Sequence, residues 1–117
     1  MMHHKKFRKF GREKNQRKAF IKGLMSALII NGKIETTLAR AKELRPNIEK
    51  LITKSKDNTI SNKRHVASKL YNHEIEVNKL FNEIAPKYKD VTGGYTRIIR
   101  KSRRLGDSAQ MAIIELI

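Results

Sequence analysis

Ile21-Lys22-Gly23-Leu24-Met25-Ser26-Ala27-Leu28-Ile29-Ile30-Asn31-Gly32 is the stretch around which the rest of the chain arranges itself. Ile21, Leu24, Met25, Leu28 and Ile29 recur at i, i+3, i+4, i+7 and i+8, which makes one continuous apolar face on a helix. Asn15 supplies an N-cap upstream, and Asn31-Gly32 supplies the left-handed residue that stops the helix. Immediately after it, Lys33-Ile34-Glu35-Thr36-Thr37 alternates polar with β-branched residues and reads as a short strand. Helix, tight stop and strand in that order commit the chain to a mixed α and β architecture.

Downstream, Thr37 caps a second helix with Leu38, Ala41, Leu44, Ile48, Leu51 and Ile52 on its apolar face. Pro46 falls inside that pattern and predicts a kink or a restart, because it lacks a backbone donor and crowds the preceding turn. Residues 54–59 are loop-forming by composition. Ser61 is read as the cap of a third helix that turns Val66, Ala67 and Leu70 inward. Asn72 is read as the cap of a fourth, with Glu74 and Glu76 at its positive end and Val77, Leu80, Phe81 and Ile84 inward. Ala85-Pro86 marks its end. Gly93-Gly94 then introduces two β-rich segments, Tyr95–Lys101 and Ala109–Ile117, joined by the turn-forming Arg104-Leu105-Gly106-Asp107-Ser108. The second segment is apolar almost throughout and is expected to be a central strand. The expected fold is α+β: helix–strand–three helices–two strands, the helices packed on a small three-stranded mixed sheet. Residues 1–14 form a basic N-terminal arm, and residues 15–117 a single globular domain of ordinary size.

Charge is distributed unevenly over this frame. The net charge is +16. Residues 1–22 hold nine Lys or Arg (Lys5, Lys6, Arg8, Lys9, Arg12, Lys14, Arg17, Lys18, Lys22) against Glu13 alone. Residues 97–104 add Arg97, Arg100, Lys101, Arg103 and Arg104 with no acid. The remaining residues carry 13 bases and 10 acids, an ordinary soluble surface. Two clusters of one sign on a near-neutral domain form an electrostatic footprint for a polyanion, whereas a merely solvated face mixes signs. Arg17 and Lys18 reinforce this: read as first-turn residues after Asn15, they face the positive end of the helix dipole at a cost of about 0.3–1 kcal/mol each. A bound phosphate offsets that cost and also accepts from the free amides of a helix start. Nucleic acid is the partner this pattern implies.

Other classes find little support. There is no cysteine, hence no disulfide framework, thiol nucleophile or Cys-based zinc site. The longest apolar run, Ala27–Ile30, is far too short for a membrane span, and the N-terminus lacks a secretory apolar core. The arm has no Ser before Ser26 and prefers Lys, unlike an organelle transit peptide; a cytoplasmic protein is expected. Gly93-Gly94 reads as a hairpin entry and not a phosphate loop. Glu74, Glu76 and Glu83 share a helix with Lys79 as ordinary surface charge. His3 and His4 could hold copper or nickel but read as polar arm residues; His65 and His73 read as surface or capping residues. No nucleophile, base and orienting group assemble, so no catalytic residue, metal site, cofactor or small-molecule substrate is assigned. Phe7 and Phe10 either stack on bases or pin the arm to the core. A nucleoid-type DNA-binding protein and an RNA-processing enzyme stand as alternatives, the latter disfavoured by the missing acid or histidine constellation.

Two segments carry a specific likeness. Ile34-Glu35-Thr36-Thr37-Leu38-Ala39-Arg40-Ala41-Lys42-Glu43-Leu44-Arg45 resembles the signature of the bacterial large-subunit ribosomal protein seventeen family. Gly93-Gly94-Tyr95-Thr96-Arg97-Ile98-Ile99-Arg100, with Arg104-Leu105-Gly106-Asp107-Ser108-Ala109 and Met111-Ala112-Ile113-Ile114-Glu115-Leu116, resembles its C-terminal hairpin. Leu80-Phe81-Asn82-Glu83-Ile84-Ala85-Pro86 lies between them in the family's order. The resemblance implies a structural constituent of the large ribosomal subunit, cytoplasmic, bound to 23S ribosomal RNA and neighbouring ribosomal proteins near the polypeptide exit. It implies RNA contacts at His3, Lys5, Arg8, Lys9, Arg12, Arg17 and Lys18, to which the charge pattern adds Lys6. Arg97, Arg100, Arg103 and Arg104 form a second set at the hairpin. The chain departs from the family at Met2, where Arg is usual, at Phe7, where a small residue is usual, and at Gln110, where Pro is frequent. Gln110 restores a backbone donor, so the last strand can start a residue earlier.

Overall fold

The structure, a computed structural model, describes residues 14–117. The elements run α1 (Lys14–Asn31), β1 (Lys33–Thr37), α2 (Leu38–Ser55), α3 (Ile60–Lys69), α4, β2 (Thr96–Arg103) and β3 (Gln110–Leu116). α4 is composite: Glu74–Lys79 is α-helical, Leu80–Ile84 winds as a π turn, and Ala85–Lys87 is α-helical again. Four helices thus pack on a three-stranded sheet of order β1-β3-β2. Both pairings are antiparallel, so the sheet is not mixed. β1 and β2 run the same way but are held apart by β3, which runs against both and so leaves no parallel neighbours.

The α1–β1 junction forms as its sequence dictates. Gly32 takes φ +79° and donates from its N–H to the Leu28 carbonyl at 2.8 Å, closing the last turn. From α4, Lys79 Nζ donates to the Ile30 carbonyl at 2.8 Å, a cation at the negative end of α1. Thr37 caps α2 by accepting from the Arg40 N–H at 3.4 Å. α2 runs through Pro46 without restarting. The adjacent Glu43 carbonyl is served by the Asn47 side-chain amide at 2.9 Å, which supports the turn that proline weakens.

Three helix boundaries differ from the sequence reading. Asn15 is already wound into α1, which is described from Lys14 onward, and so is not its cap. α3 is capped by Thr59, whose hydroxyl accepts from Asn62 N–H at 3.1 Å, and not by Ser61. This places Ile60 at the first helical position, where it stays exposed. Asn72 does not open α4: with Tyr71 it adopts positive φ (59° and 55°) and donates to the Ala67 carbonyl, ending α3. His73 occupies the cap position without a side-chain cap bond. The π turn precedes Pro86, whose ring crowds the carbonyl four residues back, and the Ala85 N–H reaches Leu80 five residues back.

The core joins Met25, Leu28 and Ile29 of α1 to Ala41, Leu44, Ile48, Leu51 and Ile52 of α2. Val66, Leu70, Leu80, Phe81 and Ile84 close it from α3 and α4, and Ala112 and Ile114 from β3. Ile21 and Leu24 pack at its margin and stay half-buried. Ala112 and Ile114 face the helices, while Arg97, Ile99 and Lys101 of β2 lie exposed. Glu49 of α2 pins the hairpin to the helices: its carboxylate accepts from Gly94 N–H at 3.1 Å and Thr96 Oγ1 at 2.7 Å. Gly93 and Gly94 both take positive φ, which lets the backbone amide turn toward that carboxylate. Tyr88 Oη donates to the Ile117 carbonyl at 2.5 Å, and the Ile117 N–H donates to Tyr95 at 3.0 Å.

The hairpin tip is closed by one ion pair. Arg104 grips Asp107 with two bonds, Nε to Oδ1 at 2.9 Å and Nη2 to Oδ2 at 2.6 Å. Asp107 Oδ1 also accepts from Ala109 N–H at 3.1 Å. The Arg104 hydrogen bonds hold the Asp107 carboxyl down to about 2, from an ordinary 3.8. Gln110, at the start of β3, reaches back with its side-chain amide to the Lys101 carbonyl, beside a register shift between Arg100 and Arg103.

Two outcomes follow. Leu28→Ala removes fully buried atoms and is expected to cost about 2–5 kcal/mol, read as a lowered urea midpoint at unchanged slope. Leu28→Asp, which buries a charge, is expected to leave the chain unfolded. For the tip, a depressed carboxyl pKa means the closure is present above the unfolded-chain value and is lost only as pH falls through about 2. NMR titration of the Asp107 carboxyl should show a midpoint near 2 that moves up toward the ordinary value in Arg104→Gln. An ordinary midpoint in the unsubstituted protein would refute the pairing.

Candidate nucleic-acid interface

Of the candidate contacts, His3, Lys5, Lys6, Arg8, Lys9 and Arg12 lie outside the described residues. Arg17 and Lys18 are on α1, Arg17 half-buried and Lys18 exposed. With Lys14 and Asn15 already helical, both lie further along α1 than an N-cap at Asn15 would put them. The dipole field falls off within one turn. The helix-end repulsion read from the sequence therefore bears on them less than expected, and their role rests on the company they keep.

That company is basic and comes from three helices. Lys14, Arg17, Lys18 and Lys22 of α1, Lys50 of α2 and Lys69 of α3 surround a cleft of about 840 Å³. Among the described residues Glu43 is its one acid, Asn47 and Ser68 are its uncharged polar residues, and Ile21, Met25 and Pro46 its apolar wall. Lys22 is held in place: Nζ donates to the Ser68 carbonyl at 3.1 Å and sits 3.4 Å from the centre of the Tyr71 ring. Partial desolvation, then the Lys69 and Lys18 charges, lower the pKa of Lys22 from its ordinary value. Among the described residues, Lys14, Lys18, Lys50 and Lys69 form no ion pair. Sequence reasoning missed Lys50 and Lys69, because nothing local to either one signals that α2 and α3 bring them to α1.

The hairpin cations divide into two kinds. Arg97 lies against Glu115 on the neighbouring strand, Nη2 to Oε1 at 2.6 Å, as the Arg97↔Glu115 register requires. Arg104 is committed to Asp107, and Lys101 reaches Glu35 at 3.2 Å. Arg103 donates to the Ser108 carbonyl at 2.9 Å and forms no ion pair among the described residues; Arg100 forms none either. Leu105, next to Arg104 at the tip, is fully exposed. The acids already in place therefore neutralise part of the footprint that the sequence suggested.

Elsewhere the chemistry is sparse. A shallow depression of about 700 Å³ includes Glu49, Asp57 and His65, but Glu49 is occupied with Gly94 and Thr96. Among the described residues no three His, Cys, Asp or Glu side chains come together to hold a metal, and no helix is long and apolar enough to cross a membrane.

Comparison with known proteins fits this geometry. The sequence profile described as Ribosomal protein L17 matches residues 20–117. The chain is 52% identical over 117 residues to the large ribosomal subunit protein bL17 of Fusobacterium nucleatum subsp. nucleatum, covering 100% of both chains. It is 50% identical over 117 residues to that of Wolinella succinogenes, again covering 100% of both. To that of a Sulfurihydrogenibium species it is 47% identical over 118 residues, covering 100% of this chain and 97% of the other. A profile match over most of the chain and end-to-end relatives near half identity place it together with its fold: the protein belongs to the ribosomal protein L17 family.

Proposed function

We propose that the protein, a structural constituent of the large ribosomal subunit by its family, binds that subunit's 23S ribosomal RNA near the polypeptide exit. Residues 1–14 act as an arm on the domain formed by residues 15–117. His3, Lys5, Lys6, Arg8, Lys9 and Arg12 engage phosphates and are continued along α1 by Arg17 and Lys18. The hairpin touches a second phosphate surface through Arg97, Arg100, Arg103 and Arg104, and neighbouring ribosomal proteins complete its surroundings. The role is structural and the location is the cytoplasmic ribosome. One observation carries the reading: fourteen of the 27 Lys and Arg fall in two short segments that hold a single acid, while the rest of the chain is nearly neutral. A surface so arranged binds a polyanion by neutralising phosphates and releasing their counterions.

Within the hairpin the four arginines are unequal. An Arg already closed on a carboxylate must give up that pair, or share it, to serve a phosphate. Arg100 and Arg103 are therefore the stronger phosphate ligands, and Arg97 and Arg104 chiefly hold the strand pairing and the tip.

The tagged protein should co-sediment with large subunits in a lysate gradient and survive a moderate-salt wash. Free sedimentation, or nuclease-sensitive association with chromosomal DNA, would refute the reading in favour of a nucleoid protein. With isolated ribosomal RNA, combined replacement of Lys5, Arg8, Lys9 and Arg12 by Gln should lower the log–log salt slope by about 3 at unchanged thermal stability. Arg100→Gln with Arg103→Gln should weaken RNA binding more than Arg97→Gln does. Equal losses would show that the ion pairs open on binding.

A further inference from the structure

We propose that the cleft between α1, α2 and α3 seats a length of RNA phosphodiester backbone, a binding surface built by the fold that continues the basic run of α1 onto α2 and α3 and is separate from the hairpin. The proposal rests on the ribosomal RNA reading above and adds a place and a residue set to it: Lys22, Lys50 and Lys69, with Lys14 and Lys18.

Three features of the cleft converge. The first is repulsion. Among the described residues five lysines, Lys14, Lys18, Lys22, Lys50 and Lys69, line one cleft whose single acid is Glu43, although acids are plentiful elsewhere on the domain. Like charges gathered around a concave wall raise the energy of the unliganded protein; the Lys22 pKa is lowered first by desolvation and then by the Lys69 and Lys18 charges. A bound polyanion removes that cost. The second is spacing. Lys14, Lys18 and Lys22 recur every four residues on α1, so they climb one face in steps of about 6 Å. That is close to the interval between successive phosphates along one strand. The third is preorganisation. Lys22 is fixed by the Ser68 carbonyl and the Tyr71 ring, and one of its three N–H donors is used by Ser68, leaving others for an incoming oxygen. Ile21, Met25 and Pro46 add an apolar wall on which a ribose can lie. The chain's own arm is a poor occupant, since its charge has the same sign as the cleft.

The test uses the full chain and large-subunit ribosomal RNA. Replacing Lys22, Lys50 and Lys69 together by Gln should lower the log–log salt slope by about 2. The melting temperature should hold or rise, because repulsion is relieved. A matched triple at Lys33, Lys87 and Lys89, outside the cleft, should move the slope by less than half as much. An unchanged slope, or equal slopes for the two triples, would overturn the cleft. Loss of selectivity for ribosomal RNA in the unsubstituted protein would instead refute the underlying functional reading. Because the chain has no cysteine, Lys50→Cys offers a unique attachment point for a tethered radical-generating chelate. In reconstituted large subunits it should cut ribosomal RNA at one discrete backbone segment. Absence of cleavage there, with an acidic segment of a neighbouring protein labelled instead, would also overturn the proposal.

Discussion

The structure depends on β3 being held from both sides. Lys33 through Thr37 pairs with Glu115 through Met111 on one side, and the hairpin partner β2 pairs on the other. Residues nearly eighty positions apart in the chain are thereby joined, and everything between them must fold into the space that this closure leaves. Closing so long a loop is entropically costly and a few strand hydrogen bonds do not offset it. The helices do, by burying Leu28, Ile29, Leu44, Ile48, Ile52 and Leu80 against Ala112 and Ile114. Glu49 then locks the two parts in register, because one carboxylate holds the hairpin's glycine turn and first strand residue to α2.

A second constraint is charge. A small domain with net charge +16 folds against its own repulsion, and it does so by keeping cations away from acids in some places and against them in others. Where cations serve the fold, they have partners: Arg104 with Asp107, Arg97 with Glu115, Lys79 on the carbonyl end of α1. In the cleft they crowd one another. The same residue type therefore marks architecture in one place and an expected ligand in the other, and the nearby acids make the difference.

What could be read from the sequence was what local chemistry decides. Gly32 as a left-handed stop, Thr37 as a cap, the five-residue β1 and the central position of an apolar β3 each follow from a few neighbouring residues. The errors arose where one residue type serves two ends of a helix. Asn72 can cap a helix or adopt a left-handed stop, and only the packing of α3 selects the stop. Thr59 and Ser61 are both able caps, and only the folded chain, with Ile60 helical and exposed, selects Thr59. The π turn before Pro86 has no periodic signature of its own. For the interface, the two basic segments were legible as composition. The cleft was not, since Lys50 and Lys69 reach α1 only through tertiary packing. The cross-strand pairing of Arg97 was hidden for the same reason: it depends on register.

Among the described residues the sheet ends on β2, whose outer edge has no further strand beside it. An unpaired edge is an invitation for another chain to add a strand. Here the edge carries Arg97, Arg100, Lys101 and Arg103, and its ladder breaks register between Arg100 and Arg103. Two copies meeting edge to edge would set rows of cations side by side along an irregular strand. The same basic side chains that the hairpin offers to solvent therefore also disfavour self-association along this edge.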